Sequence, residues 1–313
     1  MRILLLGANG QLGQSFRHQG GLAARGELIA ASRDGTLTGG GRGEAADLSK
    51  PDTLLALLDR VRPDIIINAA AYTSVDRAEQ EESLATRING EAVGVLGTWA
   101  AVHSALVVHY STDYVFDGHQ PQPYTVDAPT APLSAYGRSK LAGELALRNS
   151  GADHLLLRTA WVYAAHGNNF LRTMLRLAVE RNDLRVVADQ HGAPTDTRLI
   201  VNGSLAAIDR WWGFDAAPRR RLTGTHHLVA SGATTWHGFA SAIFDQAAEQ
   251  GLVTHKPRVL PITSADFPTP ALRPAWSLLD NSGFQEHFDF MLPDWRTGLR
   301  EVIAELARER ARG

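Results

Sequence analysis

The chain has 313 residues, 31 basic and 33 acidic side chains, a net charge of −2 at pH 7 and no cysteine. The charge balance excludes the broad basic footprint that nucleic-acid binding needs, and the missing thiols exclude disulfides and cysteine-ligated zinc or iron–sulfur sites. Only Lys50, Lys140 and Lys256 supply lysine; every other side-chain cation is arginine.

The elements read as follows in chain order. Met1-Arg2 precedes four apolar residues, against roughly 7–15 in the core of a signal peptide. No apolar stretch approaches the roughly 18 residues of a membrane span. The expectation is a cytoplasmic protein with no membrane partner. Ile3–Leu6, Leu28–Ala31, Ile65–Ile67, Leu106–Val108 and Leu155–Leu157 are short runs apolar on both faces, the pattern of buried parallel strands. Helical stretches lie between them. Ser49 is placed to cap a helix starting near Pro51, with a stripe of Leu54, Leu55, Leu57, Leu58 and Val61 that ends before Pro63. A longer helix spans Glu82–His103 and another Ala135–Asn149. Strands separated by helices at this spacing predict an α/β fold with a Rossmann-like, doubly wound parallel sheet.

Past about residue 165 the pattern loosens. Helices are predicted near 167–182, 196–212, 235–250 and 294–312, with Pro257, Pro261, Pro268, Pro270, Pro274 and Pro293 marking loops between them. The division expected is a nucleotide-binding domain over 1–165. Residues 166–313 then form a smaller, mostly substrate-binding lobe, with some segments returning to the first domain. Arg219-Arg220-Arg221 reads as a solvated loop.

Gly7-Ala8-Asn9-Gly10-Gln11-Leu12-Gly13 follows the first strand and opens a helix. Glycines there permit a tight turn and let backbone approach a pyrophosphate, while the helix N-terminus offers free N–H groups and positive dipole. The spacing is G-x-x-G-x-x-G rather than G-x-G-x-x-G, but its position at the first strand–helix junction points to a dinucleotide. Some 20 residues on, the end of the second strand chooses the cofactor. Here Ser32 and Arg33 suit the 2′-phosphate of NADP. Asp34, one position late for a ribose hydroxyl, leaves NADH open.

Tyr136 and Lys140 stand at i and i+4 on one helix face. A tyrosine near pKa 10 exchanges protons poorly at neutral pH, and a neighbouring ammonium lowers that value. Such a pair can protonate a carbonyl oxygen as hydride arrives. Six tyrosines and three lysines in 313 residues give about 0.06 chance pairings at this spacing. After the fourth strand, where ligands bind in such sheets, Thr112 offers a hydroxyl for the same carbonyl.

These features together resemble the extended short-chain dehydrogenase/reductases. The strings Asn68-Ala69-Ala70-Ala71-Tyr72-Thr73-Ser74-Val75-Asp76, Ser111-Thr112-Asp113-Tyr114-Val115-Phe116, Arg158-Thr159-Ala160-Trp161-Val162-Tyr163, Asp189-Gln190-His191-Gly192-Ala193-Pro194-Thr195 and Arg273-Pro274 with Leu278-Leu279-Asp280 look like the dTDP-4-dehydrorhamnose reductase family. That resemblance covers most of the chain in order. It implies reduction of a dTDP-linked 4-keto sugar to dTDP-L-rhamnose, a donor for bacterial surface polysaccharides such as lipopolysaccharide O-antigen. It also implies catalytic roles for Thr112, Tyr136 and Lys140. It implies cofactor contacts at Gly10, Gln11, Leu12, Asp47, Leu48, Ala71, Tyr72, Thr73, Tyr136 and Lys140, beside Gly7, Gly13, Ser32 and Arg33 read above from the residues, where Ser32-Arg33 replaces the acid some relatives carry; sugar-nucleotide contacts are implied at Asp113 and Trp161. Asn169 and Arg273 are further substrate candidates, with Arg273 alternatively capping a buried carboxylate.

The sequence also departs from the family pattern. Tyr72 replaces a histidine found in some relatives and Trp276 an asparagine found in many. Some relatives dimerise through carboxylates and a magnesium ion. The sequence shows no such ligand cluster, and Mg2+ and a homodimer are left open. Two other readings share these motifs: a different nucleotide-sugar 4-ketoreductase, and a non-catalytic, NADP-binding regulatory subunit resembling the partner of methionine adenosyltransferase. A sugar-nucleotide dehydratase would carry an acidic pair after the threonine. Here Asp113 is followed by Tyr114.

Overall fold

Aliphatic runs without a polar interruption bury both faces when they lie inside a helix-covered parallel sheet. A computed structural model, which describes residues 1–312, places them so. The strands are β1 (Arg2–Leu6), β2 (Glu27–Ser32), β3 (Glu44–Ala45), β4 (Ile65–Asn68), β5 (Leu106–Thr112), β6 (His154–Thr159), β7 (Val162–Tyr163), β8 (Asp183–Val187), β9 (His191–Gly192), β10 (Thr195–Asp196), β11 (Gly224–His227), β12 (Thr234–Thr235) and β13 (Arg258–Ile262). The helices are α1 (Gln11–Gln19), α2 (Asp52–Val61), α3 (Val75–Ala78), α4 (Glu82–Thr86), α5 (Ala92–His103), α6 (Ala135–Asn149), α7 (Phe170–Glu180), α8 (Thr197–Trp212), α9 (Ala216–Leu222), α10 (Trp236–Glu249), α11 (Ser282–Phe288) and α12 (Trp295–Arg312).

The main sheet runs β3-β2-β1-β4-β5-β6-β11, with every neighbouring pair parallel. The strand order reverses between β1 and β4, which puts the ligand crevice at the C-terminal ends of those strands. Alternate residues feed two cores. Ile3, Leu5, Ile65, Ile67, Leu106 and Val108 face one side; Leu4, Leu6, Ile66 and Val107 face the other. The Rossmann-like expectation therefore holds.

Four local readings differ. β11 was not anticipated, because Gly224-Thr225-His226-His227 carries no aliphatic run. Its histidines are buried all the same, with His226 Nε2 against the Leu222 carbonyl (2.8 Å) and His227 Nδ1 against that of Asp280 (3.0 Å). β13 lies inside the proline-rich stretch and includes Pro261, which a two-stranded sheet with β8 tolerates because one edge is free. Ser49 does not cap α2: its hydroxyl and N–H both go to Asp47 Oδ1, at 2.7 and 3.0 Å. Arg219 belongs to the last turn of α9, where it lies over the Trp211 ring at 4.5 Å.

The run 82–103 is helical throughout, but its centre, Arg87–Glu91, is a π-helical turn between α4 and α5. Close packing on α6 accompanies it. A Cβ on Gly143 would sit 2.0 Å from the Asn89 carbonyl oxygen, and one on Gly90 would sit 3.2 Å from Ala142 Cβ. That contact fixes α6, the helix that carries Tyr136 and Lys140.

Candidate active site

At the mouth of β1 the chain has room for backbone alone. Gly7 adopts φ +76°, and a Cβ there would meet the Ala70 nitrogen at 2.6 Å; one on Gly13 would meet the Gly7 carbonyl oxygen at 2.1 Å. Gly10 is the N-cap of α1 and supplies no side-chain cap. The first N–H groups of the helix, including those of Gln11 and Leu12, are therefore free of side-chain competition, as an anion cradle requires. These residues fit a dinucleotide pyrophosphate.

Next to this cradle the β2 end turns sharply. Ser32 Oγ donates to the Thr36 carbonyl (2.8 Å), and Asp34 Oδ1 accepts the Thr36 N–H (2.9 Å). Asp34 is thus drawn back into its own turn, while Arg33 stays exposed. Asp47, with its carboxylate held low by hydrogen bonds from Ser49 despite some desolvation, precedes buried Leu48. Beyond β4 come Ala71, Tyr72 and Thr73. The Tyr72 hydroxyl donates to Glu81 (2.6 Å).

Thr112 ends β5 and caps the following 3₁₀ turn by accepting the Tyr114 N–H at 3.2 Å. Its hydroxyl donates to Asp113 Oδ1 at 2.9 Å. Tyr136 enters from the first turn of α6, capped by Ser134, and its ring packs edge-on against Tyr114 at 5.5 Å. Burial and the Asp113 charge push the Tyr136 phenol up, with a hydrogen bond to Thr112 opposing them. Lys140 lies one turn on and is 2% exposed; its Nζ donates to the Tyr110 carbonyl at 2.6 Å. Burial brings its ammonium down to about 8, against the raising effect of Glu144. The sequence argument had Lys140 lowering Tyr136. In this arrangement desolvation dominates, and the phenol is held protonated.

Asp113 is fully enclosed at 2% exposure, and desolvation raises it to about 6, opposed by the Thr112 hydroxyl on Oδ1. Its Oδ2 has no partner among the described residues. An orphaned buried carboxylate oxygen beside two catalytic candidates is suited to accept from a sugar hydroxyl. Trp161, just past β6, takes a left-handed backbone at φ +49° and stacks flat on Trp236 at 3.6 Å.

Two candidates have structural partners instead. Asn169 caps α7 by accepting the Arg172 N–H (3.0 Å), and its Nδ2 reaches Gln11 Oε1 (2.8 Å) and the Ala164 carbonyl (2.9 Å). Its amide ties the lobe to the glycine loop, which leaves little capacity for a sugar. Arg273 pairs with Asp76 at 2.9 Å, although that carboxylate is 41% exposed, not buried. Trp276 packs on His191 at 5.0 Å.

Asn89 escaped the sequence argument. Its Oδ1 accepts the Tyr72 N–H (2.8 Å), and its Nδ2 donates to the Tyr72 carbonyl (3.0 Å) and to Ser139 Oγ (2.9 Å). One amide thereby joins the β4 loop to the catalytic helix. The only available signal was an asparagine–glycine pair inside an otherwise uninterrupted helical pattern.

A cavity of about 1110 Å3 opens between α7, β8, β13 and residues 264–273. Phe170, Trp236, Phe267 and Leu272 give it apolar walls, and Arg181, Arg185 and Arg273 are its cations. It does not include Thr112, Tyr136 or Lys140; Arg273 links it, through Asp76, to the catalytic side. Among the described residues no group of three or more His, Asp or Glu side chains could hold a metal ion, so magnesium gains no site. No helix among them is long and apolar enough to cross a membrane.

Comparison with known proteins agrees with this geometry. The family model described as RmlD substrate binding domain matches residues 1–308. The dTDP-4-dehydrorhamnose reductase of Burkholderia thailandensis is 44% identical over 313 residues, covering 98% of this chain and 99% of that protein. The crystal structure of a dTDP-4-dehydrorhamnose reductase from Clostridium acetobutylicum superposes with a TM-score of 0.86 at 33% identity, covering 98% of this chain and 99% of that one. The Bacillus anthracis reductase, solved in complex with NADP, gives 0.83 at 32% identity over 97% of this chain and 99% of its own.

Proposed function

The chain belongs to the RmlD substrate binding domain family, and from that premise we propose that it reduces dTDP-4-dehydro-6-deoxy-L-mannose to dTDP-L-rhamnose. The observation that carries the reading is that Tyr136, in the first turn of α6, packs on Tyr114 beside Thr112 at the C-terminal end of β5, with the Lys140 ammonium held on the Tyr110 carbonyl one helical turn on.

When bound, NADPH supplies the hydride that adds to C4 of the sugar. Tyr136 gives its phenolic proton to the C4 oxygen, so the ketone becomes a secondary alcohol and the phenolate is reprotonated from solvent. Thr112, its hydroxyl turning from Asp113 Oδ1 to the substrate, supplies a second hydrogen bond to that oxygen and orients it. Asp113 accepts from a neighbouring sugar hydroxyl through its unpartnered Oδ2, and Trp161 forms the wall beside the sugar. Lys140 holds the nicotinamide ribose with its ammonium.

The backbone from Gly7 to Gly13 takes the pyrophosphate. Asp47, Leu48, Ala71, Tyr72 and Thr73 would supply further contacts to the cofactor. NADPH is favoured over NADH because Arg33 is free for a 2′-phosphate while Asp34 is tied to its own turn. The large cavity suits the deoxythymidine diphosphate: aromatic faces for the base, Arg181 and Arg185 for the phosphates.

The test supplies dTDP-glucose with the upstream dehydratase and epimerase, then follows loss of reduced cofactor and formation of dTDP-L-rhamnose. Absence of turnover with either NADPH or NADH overturns the reading and leaves a cofactor-bound, non-catalytic protein.

A pH profile tests Lys140. The pKa of the ammonium is depressed, so it is charged below about 8 and neutral above. With cofactor subsaturating, kcat/KM for NADPH reports the free enzyme and is expected to fall as pH rises through about 8. A profile flat to pH 10 would remove the charged lysine from cofactor binding.

A further inference from the structure

The loop after β2 is pinned to the glycine loop by two side chains outside the reading above. Asn9 Nδ2 donates to the Thr36 carbonyl (2.7 Å), and Asn9 Oδ1 accepts the Thr38 N–H (2.9 Å). Arg17, on the second turn of α1, donates to the Thr38 carbonyl (3.1 Å) and the Ala8 carbonyl (3.5 Å). Its guanidinium therefore lies between the backbone of the glycine loop and the loop that begins at Ser32-Arg33. None of the ion pairs among the described residues involves Arg17 or Arg33.

We propose that Arg17 is a second cation for the 2′-phosphate of NADP, completing with Arg33 a two-arginine clamp across the loop that Asn9 pins. The inference rests on the NADP reading and deepens it. A 2′-phosphate near neutral pH carries close to two negative charges, and one guanidinium balances only one of them. Arg17 has five N–H donors, and its two contacts, at 3.1 and 3.5 Å, are to neutral carbonyls, which leaves donors for an anion. Asn9 already holds the same loop through shorter bonds, so loop architecture does not require the arginine. An NAD ribose presents a hydroxyl at this position and gains nothing from a second cation.

Calorimetric titration of NADP+, NAD+, 2′,5′-ADP and 5′-AMP into the wild type, Arg17→Ala, Arg17→Lys and Arg33→Ala tests this without turnover. A lost charge-assisted contact is worth about tenfold or more in affinity. Arg17→Ala is expected to weaken NADP+ and 2′,5′-ADP by at least that, with NAD+ and 5′-AMP changed by less than about twofold. Arg17→Lys restores part of the loss. The wild-type advantage of NADP+ should also narrow with added salt, since exposed charges are screened. Equal weakening of both cofactors overturns the proposal, because Arg17 would then shape the loop alone; so does unchanged NADP+ binding. Loss of the NADP+ advantage in Arg33→Ala but not in Arg17→Ala leaves the cofactor reading standing and removes Arg17. A wild type that binds NADP+ no tighter than NAD+ overturns both.

Discussion

Tyr136→Phe is expected to lower kcat by about 10²- to 10⁴-fold, the contribution of a positioned general acid, while NADP+ affinity and melting temperature stay near wild type. The ring is not what is removed. Phenylalanine keeps the edge-on contact with Tyr114 at 5.5 Å and the place of the side chain in the first turn of α6. Only the hydroxyl is lost. In the direction of reduction the phenol must begin protonated, and burial with the Asp113 charge keeps it so throughout the working range. Hydride transfer without that proton leaves alkoxide charge on the C4 oxygen with only Thr112 to stabilise it. Single-turnover decay of reduced cofactor on the saturated variant separates this from a defect in binding. A rate within about fivefold of wild type would take Tyr136 out of the proton transfer and leave Thr112 or solvent as donor.

What was legible in the sequence follows from how locally each feature is determined. β1, β4 and β5 announce themselves, because a strand buried on both faces needs consecutive aliphatic residues whatever surrounds it. α6 was bounded at Ala135–Asn149 from pattern alone, and the structure gives it the same ends. The glycine loop was legible because its requirement, close backbone approach, excludes every residue with a Cβ at Gly7 and Gly13. Features set by distant partners were not legible. β11 is recruited by β6 through backbone pairing, and its sequence shows only glycine, threonine and histidine. The π turn around Asn89 comes from packing against Gly143, fifty-four residues on, and no period within 82–103 encodes that. Asn169 illustrates the converse. Its place in the chain suggested a sugar contact, yet its hydrogen bonds cap α7 and reach Gln11.

The largest stability effect is expected at Arg158→Met, because α6 is anchored by a buried ion pair. Glu144 and Arg158 are 0% and 1% exposed; Arg158 meets both carboxylate oxygens, at 2.9 and 2.7 Å, and Ser111 Oγ donates to Glu144 at 2.6 Å. Arg158 also donates to the Val126 carbonyl (3.1 Å) and lies over the Phe116 ring at 5.0 Å. Removing Arg158 leaves the buried Glu144 carboxylate with only the longer contact to partly exposed Arg148, at 3.5 Å, and losing one partner of a buried pair costs about 3–5 kcal/mol. A fall in melting temperature on the order of 10 °C follows for a chain of this size. The double variant Glu144→Gln/Arg158→Met removes both charges of the pair and should recover part of that loss in a thermal double-mutant cycle, the remainder reflecting the buried Lys140 ammonium, which then lacks the Glu144 charge. It also has a catalytic readout. Glu144 stands one turn from Lys140, and its charge opposes the burial that lowers the ammonium. Without that charge the alkaline limb of kcat/KM should move below about 8, whereas a purely structural pair would change stability and leave the limb in place. If the single Arg158→Met variant melts within about 2 °C of wild type, the pair is replaceable, and Tyr136 and Lys140 are positioned by the packing of α6 on α5 and the π turn alone.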